Sequence, residues 1–141
     1  IPAEARLFAY VFLDPANMPR SVMLQYNKGG WNHRAVWGDY DAIEWGSKNA
    51  YEKVAMGPLP EAGQWVRLEF PAERVGLSAG DQLSGLAMTQ FGGTVYWDDV
   101  GVAGRTDVTA DPTRSLLAWR KARAGNGVEG APRSAPSATA R

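Results

Sequence analysis

Between Leu7 and Leu13 the chain reads LFAYVFL, and both faces of that stretch are apolar. Leu7, Ala9, Val11 and Leu13 fall on one side of an extended chain; Phe8, Tyr10 and Phe12 fall on the other. β-Branched and aromatic residues at this length read as a strand covered on both sides. A layered β structure must then be built around it. Asp14-Pro15 ends the stretch, because proline cannot donate to a ladder and restricts the residue before it.

Further strand patterns follow at short intervals. Ser21 to Tyr26 and Trp31 to Trp37 flank Asn27-Lys28-Gly29-Gly30, whose residues tolerate positive φ. Gly38 to Glu44 reads as a loop that ends at Trp45-Gly46. Asn49 to Met56 is a weaker strand, and Trp65 to Phe70 alternates Trp65, Arg67 and Glu69 against Val66, Leu68 and Phe70. Gln82 to Gln90 and Thr94 to Val102 complete the set, with Gly92-Gly93 between them. Seven or eight short strands punctuated by 16 Gly and 9 Pro predict an all-β antiparallel sandwich or jelly roll. At 141 residues, 45% apolar, the chain has material for one core.

Asp111-Pro112 reads as a helix N-cap followed by proline at the first helical position. A helix is expected over 111–124, with Leu116 and Trp119 on its apolar stripe and Gly125 ending it. The expected division is a sandwich over 1–110, the helix over 111–124 and an extended basic tail over 125–141. By composition that tail does not order alone, and a partner surface would have to hold it. Residues 1–111 carry nine Lys/Arg and fourteen Asp/Glu, whereas residues 112–141 carry six Lys/Arg against Glu129. An acidic body with a basic tail suits an anionic neighbour or ordinary solvation.

Several chemistries lack their residues. There is no cysteine, so disulfides, thiolate metal sites and cysteine nucleophiles are all excluded. His33 is the single histidine, too few for the usual multi-histidine zinc sites, and no G-x-S-x-G elbow accompanies it. Asp39, Asp41 and Glu44 share one loop and do not face each other across a cleft as a glycosidase pair would. Gly125 to Gly130 matches G-x-G-x-x-G in letters, but it follows a helix pattern and opens none. The chain is therefore expected not to be an enzyme. A structural calcium ion is the one cofactor the carboxylates suggest, with Asp98 and Asp99 as first candidates. Nucleic acid is not expected as a partner, since the body is acidic and the tail arginines are sparse. No apolar run reaches the ~18–20 residues of a membrane span, which leaves peripheral membrane association. A chain beginning at Ile1 reads as a processed mature form or a fragment; a cleaved export signal would explain it.

The densest chemical signal runs from Trp31 to Tyr51. Trp31, Trp37, Tyr40, Trp45 and Tyr51 are interleaved there with Asn32, His33, Arg34, Asp39, Asp41 and Glu44. Aromatic rings beside planar polar groups suit sugars, whose C–H faces stack while their hydroxyls need donors and acceptors. They also suit protein interfaces, where Trp, Tyr and Arg dominate the energy. The candidate binding residues are Trp31, His33, Trp37, Tyr40, Trp45, Asp39 and Asp41. Two or three of the five rings are expected in the core.

LFAYVFLDP, SVMLQYNKGGWNHRAVWG, GPLPEAGQWVRLEFPAERVGL and QFGGTVYWDDVGV together resemble the β-sandwich domain embedded in large envelope proteins of planctomycete-type bacteria, which also carry cytochrome c-like domains. DPTRSLLAWRKA resembles the short helical segment after that domain. More broadly, VYWDDV is similar to the last strand of jelly-roll carbohydrate-binding and concanavalin-like modules. The resemblance implies a non-catalytic module in the periplasm or cell envelope, next to electron-transfer machinery. It carries no catalytic residues over, and the chain lacks the haem-binding C-x-x-C-H of the larger proteins. Two functions follow as expectations. One is a glycan-binding module using the Trp31–Trp45 surface. The other is a structural subunit of a membrane-associated electron-transfer or photosynthetic complex, clamping neighbouring protein subunits with its aromatic loop and basic tail.

Overall fold

Seven strands make up residues 1–105, the part that the computed structural model of the chain describes. They are β1 (Ala3–Leu13), β2 (Ser21–Asn27), β3 (His33–Gly38), β4 (Val54–Gly57), β5 (Trp65–Pro71), β6 (Gly85–Phe91) and β7 (Val95–Arg105), with a short 3-10 turn at Ala72–Val75. The expected helix over 111–124, the tail over 125–141 and the boundary at residue 110 lie outside the described residues.

The strands form two sheets. One is ordered β5-β1-β7 and the other β4-β3-β2-β6. Pairing is antiparallel throughout except between β3 and β4, which run parallel. Residues 1–105 form an all-β sandwich. The twofold alternation of β1 explains why. Leu7, Ala9, Val11 and Leu13 are all buried, and they meet Val22, Leu24 and Tyr26 of β2 and Ala35 and Trp37 of β3 in one core. Phe70 of β5 reaches across the layers to lie 5.8 Å from Trp37 and 6.3 Å from Tyr26, ring centre to ring centre. Burying aliphatic side chains of this size contributes roughly 1.5–3 kcal/mol each. Val75, which ends the 3-10 turn, and Leu77 just beyond it close the same core.

Several strand limits differ from the sequence expectation. β3 begins at His33 and leaves Trp31 outside, because Gly30 accepts the Lys28 amide and Gly30 donates to the Asn27 side chain, holding the turn open that far. The strand expected over Asn49 to Met56 shrinks to Val54–Gly57; Ala50 to Lys53 make a tight turn instead. β1 extends back to Ala3 through an irregularity at Glu4, whose φ is 52°. The outer face of β1 was expected to be covered. Phe8, Tyr10 and Phe12 are instead only half-buried among the described residues.

Parallel pairing of β3 and β4 requires a long crossover, since no hairpin can join parallel neighbours. Residues 39–53 supply it. They fold back over the outer face of the four-stranded sheet, where Ile43 packs on Met23 and Val36, with Tyr40 beside them. This crossover places the aromatic stretch that stands out in the sequence.

Candidate functional site: the crossover cleft

The crossover is tied down at both ends and in the middle. At its start the Asp39 amide donates to the Arg20 carbonyl at 2.8 Å, and the Asp39 carboxylate pairs with the Arg20 guanidinium. That hydrogen bond holds the Asp39 carboxyl below the usual carboxylate range. At its end Lys53 is buried, and its ammonium donates to the Ile43 carbonyl. The same ammonium lies 4.5 Å above the Tyr40 ring, while burial pushes its pKa below the ordinary lysine value. The Tyr40 hydroxyl donates to the Lys53 carbonyl at 2.7 Å and accepts the Asn49 amide at 3.2 Å.

Arg34 fixes the middle. Its Nη1 donates to the Glu52 carbonyl at 3.0 Å, and its Nε to Gln25 at 2.8 Å; Gln25 in turn donates to Thr89 at 2.7 Å. A polar chain thus crosses β3, β2 and β6 on the face under the loop. Gly46 passes so close to this anchor that a Cβ there would sit 2.4 Å from the Glu52 carbonyl oxygen, at a φ of 90°. Only glycine fits both constraints.

The candidate residues consequently separate. Trp37 is core, stacked against Phe70. Tyr40 is a loop anchor. Asp39 pairs with Arg20 and Asp41 with Lys48. His33 donates Nδ1–H to the Val75 carbonyl at 2.6 Å and so joins β3 to the end of the 3-10 turn. Trp31 stays partly exposed, its ring edge lying where a Cβ on Gly85 would be only 3.1 Å away. Gly85 pairs with Asn27 at one end of β2, whereas Phe91 pairs with Ser21 at the other. Trp31 and the crossover cleft are therefore toward opposite ends of the sheet. Of the five rings, Trp37 alone is buried in the main core; Tyr40 is half-buried, and Trp31, Trp45 and Tyr51 are exposed.

Trp45 is the ring that opens onto a cleft. Its indole is 55% exposed and forms one side of a cleft of about 510 Å³ between the crossover and β6. Arg20, Asp41, Ala42, Ile43, Glu44, Thr89, Gln90 and Phe91 complete the lining. Phe91 is 44% exposed and carries the Arg20 guanidinium 5.4 Å from its ring centre. Two open rings therefore flank carboxylate, amide, hydroxyl and guanidinium groups in a volume suited to a small ligand. Phe91 and Arg20 do not stand out in the sequence. The period-2 pattern of β6 does place Phe91 on the face of Thr89, once the strand is continued one residue past Gln90.

A second cleft, about 650 Å³, lies against Asn49–Tyr51, Lys53–Ala55 and Arg74. Its one exposed ring is Tyr51, and small aliphatic groups make up much of the rest. Rings and hydrogen-bonding groups converge in the Trp45 cleft and not in this one.

Asp98 and Asp99 occupy a bulge of β7. Asp98 pairs with Tyr10 on the outer face, Asp99 has a φ of 40°, and its amide donates to the Asp98 carboxylate at 2.8 Å. Calcium takes six to eight oxygens. Among the described residues no three His, Asp or Glu side chains converge here or elsewhere. No helix among them is long and apolar enough to cross a membrane.

The fold and the cleft define a class, a two-sheet β-sandwich with an amphipathic surface cleft. Comparisons with protein-family models, curated proteins and solved structures give no match for this chain.

Proposed function

We propose that this chain is a non-catalytic recognition module of jelly-roll type that binds glycan in the cleft between Trp45 and Phe91, on the exported side of a membrane. One observation carries this reading: two exposed rings face a shared cleft whose floor and rim offer hydroxyl, amide and carboxylate partners. A sugar ring stacks its C–H face on an indole and directs its hydroxyls sideways, so it needs both kinds of group at once. Glu44 lines the rim as an acceptor, while Thr89 is held in orientation by Gln25. The anchored crossover keeps Trp45 positioned before a ligand arrives, which limits the ordering cost of binding.

Neutral oligosaccharides fit better than charged ones. Arg20 and Asp41 already have partners in Asp39 and Lys48, and the remaining lining carboxylate, Glu44, disfavours anionic sugars. A glycan array probed with the full chain, followed by titration of the best ligands into Phe91→Ala, is the test. Micromolar-to-millimolar binding that weakens at least several-fold in Phe91→Ala is expected. An array without hits would sink the glycan reading.

A further inference from the structure

The one hydroxyl lining the Trp45 cleft has its polarity dictated from two strands away. Arg34 of β3 stands opposite Gln25 of β2, and Thr89 of β6 stands opposite Met23, two residues along the same strand. All four share the sheet face under the crossover, where Met23 packs against Ile43. Arginine can only donate, so the Gln25 atom that meets Arg34 Nε at 2.8 Å is the amide carbonyl Oε1. The amide nitrogen Nε2 is thereby turned to the other side, where it donates to Thr89 Oγ1 at 2.7 Å. A hydroxyl that accepts from one side directs its own hydrogen elsewhere. Among the described residues no group accepts that hydrogen, and the side chain borders the cleft. The relay is rigid: Gln25 is buried and held at both ends, and Arg34 is tied in turn to the Glu52 carbonyl.

We propose that Thr89 is the specificity-determining donor of the cleft and that the sugar it selects carries an acetamido group. The proposal rests on the cleft being a glycan site and names the class of sugar. Opposite Thr89 a ligand needs an acceptor. A sugar hydroxyl can accept, but it brings a hydrogen of its own that needs a second acceptor. The acceptor-only groups found on sugars are carboxylates, sulfates, ether oxygens and the acetamido carbonyl. Glu44 in the lining disfavours the anions. Ether oxygens are weaker acceptors than an amide carbonyl. The rest of the acetamido group also has counterparts in the lining. Its N–H is a donor for the Glu44 carboxylate, and its methyl suits the apolar surface of Ala42 and Phe91.

Isothermal titration of the full chain with two neutral probes tests this. Tri-N-acetylchitotriose and cellotriose share a linkage and differ only in carrying an acetamido group or a hydroxyl at one position of each ring. The wild type should prefer the acetamido probe by about tenfold or more, the discrimination one well-placed hydrogen bond provides. Thr89→Val, which removes the hydroxyl, should abolish the preference, and Thr89→Ser should keep it. Gln25→Glu reverses the relay. The introduced carboxylate accepts from both Arg34 and Thr89, so the hydroxyl shows its lone pairs to the cleft. That variant should lose the preference while still binding cellotriose, an outcome that a loss of fold would not produce. Equal or tighter binding of cellotriose by the wild type overturns the proposal and leaves the glycan reading standing. A preference that persists in folded Thr89→Val or Gln25→Glu also overturns it. If neither these probes nor any arrayed glycan binds, both readings fall together.

Discussion

The stretch running from Trp31 through the crossover and the outer face of the β5-β1-β7 sheet hold the two aromatic concentrations among the described residues, and they were assembled differently. From Trp31 through the crossover the rings are neighbours along the chain, and folding disperses them. Trp37 goes to the core, Tyr40 to an anchor, Trp45 to a cleft, and Trp31 to the far end of the sheet. On the sheet face Phe12, Trp65 and Tyr96 are distant in sequence, and register brings them into one row. Proximity along the chain marks residues that share a neighbourhood. Cross-strand pairing decides which of them share a surface.

The comparison breaks first at Trp37. If it were part of a recognition surface, truncation would be mild; as a core residue in contact with Phe70, Trp37→Ala should cost about 3–5 kcal/mol in urea unfolding. A cost below ~1 kcal/mol, the level of ordinary surface changes, would return Trp37 to the surface set. Next comes Gly38, at the root of the crossover. Its φ is 87°, and a Cβ would sit 2.5 Å from the Arg20 carbonyl oxygen. Gly38→Ala should cost roughly 1–3 kcal/mol and loosen the Asp39–Arg20 tie, seen as faster amide exchange over 39–46. Unchanged exchange there would show that the crossover is not hung from this point.

Smaller effects sharpen the contrast. Hydrogen bonds from Arg20 to Asp39, from Ser47 to Glu52, and from Arg6 and Arg67 to Glu69 hold all three carboxyls below their ordinary values. A depressed carboxyl binds fewer protons folded than unfolded. Its stabilisation is therefore present above the unfolded pKa of ~4 and lost as pH falls through the folded value. Melting temperature should be flat from pH 7 to 5 and drop below about pH 4. Asp39→Asn should lessen that acid dependence; an identical profile would remove Asp39 from the account. Smallest is Tyr26→Phe. The Tyr26 hydroxyl is buried in the core without a hydrogen-bond partner among the described residues, and burial raises its pKa. Removing it should leave stability unchanged or raise it by up to about 1 kcal/mol. A clear loss would reveal a partner for that oxygen.

Much of the fold was legible in the sequence because period-2 patterning is local. The alternation in β1, β5 and β6 and the Asn27–Gly30 turn marked inner and outer residues before any pairing was known. The parallel β3–β4 pair was not legible. Nothing between Asp39 and Lys53 announces a crossover, since its anchors are a lysine and a tyrosine contacting carbonyls a few residues away. For the same reason Asn49–Ala50 read as strand although it folds as turn. In the candidate cleft Trp45 was legible by residue type. Its partners Arg20 and Phe91 come from before β2 and the end of β6, and only the β2–β6 register brings them together.

The most direct test of the glycan assignment sets the two aromatic regions against each other. Isothermal titration of the best array ligand into the full chain, Trp45→Ala and Trp65→Ala should show binding in the wild type and Trp65→Ala. In Trp45→Ala affinity should fall about tenfold or more, from loss of a stacking contact worth ~1.5 kcal/mol. Binding that survives Trp45→Ala and disappears in Trp65→Ala would contradict the account and move recognition to the other sheet.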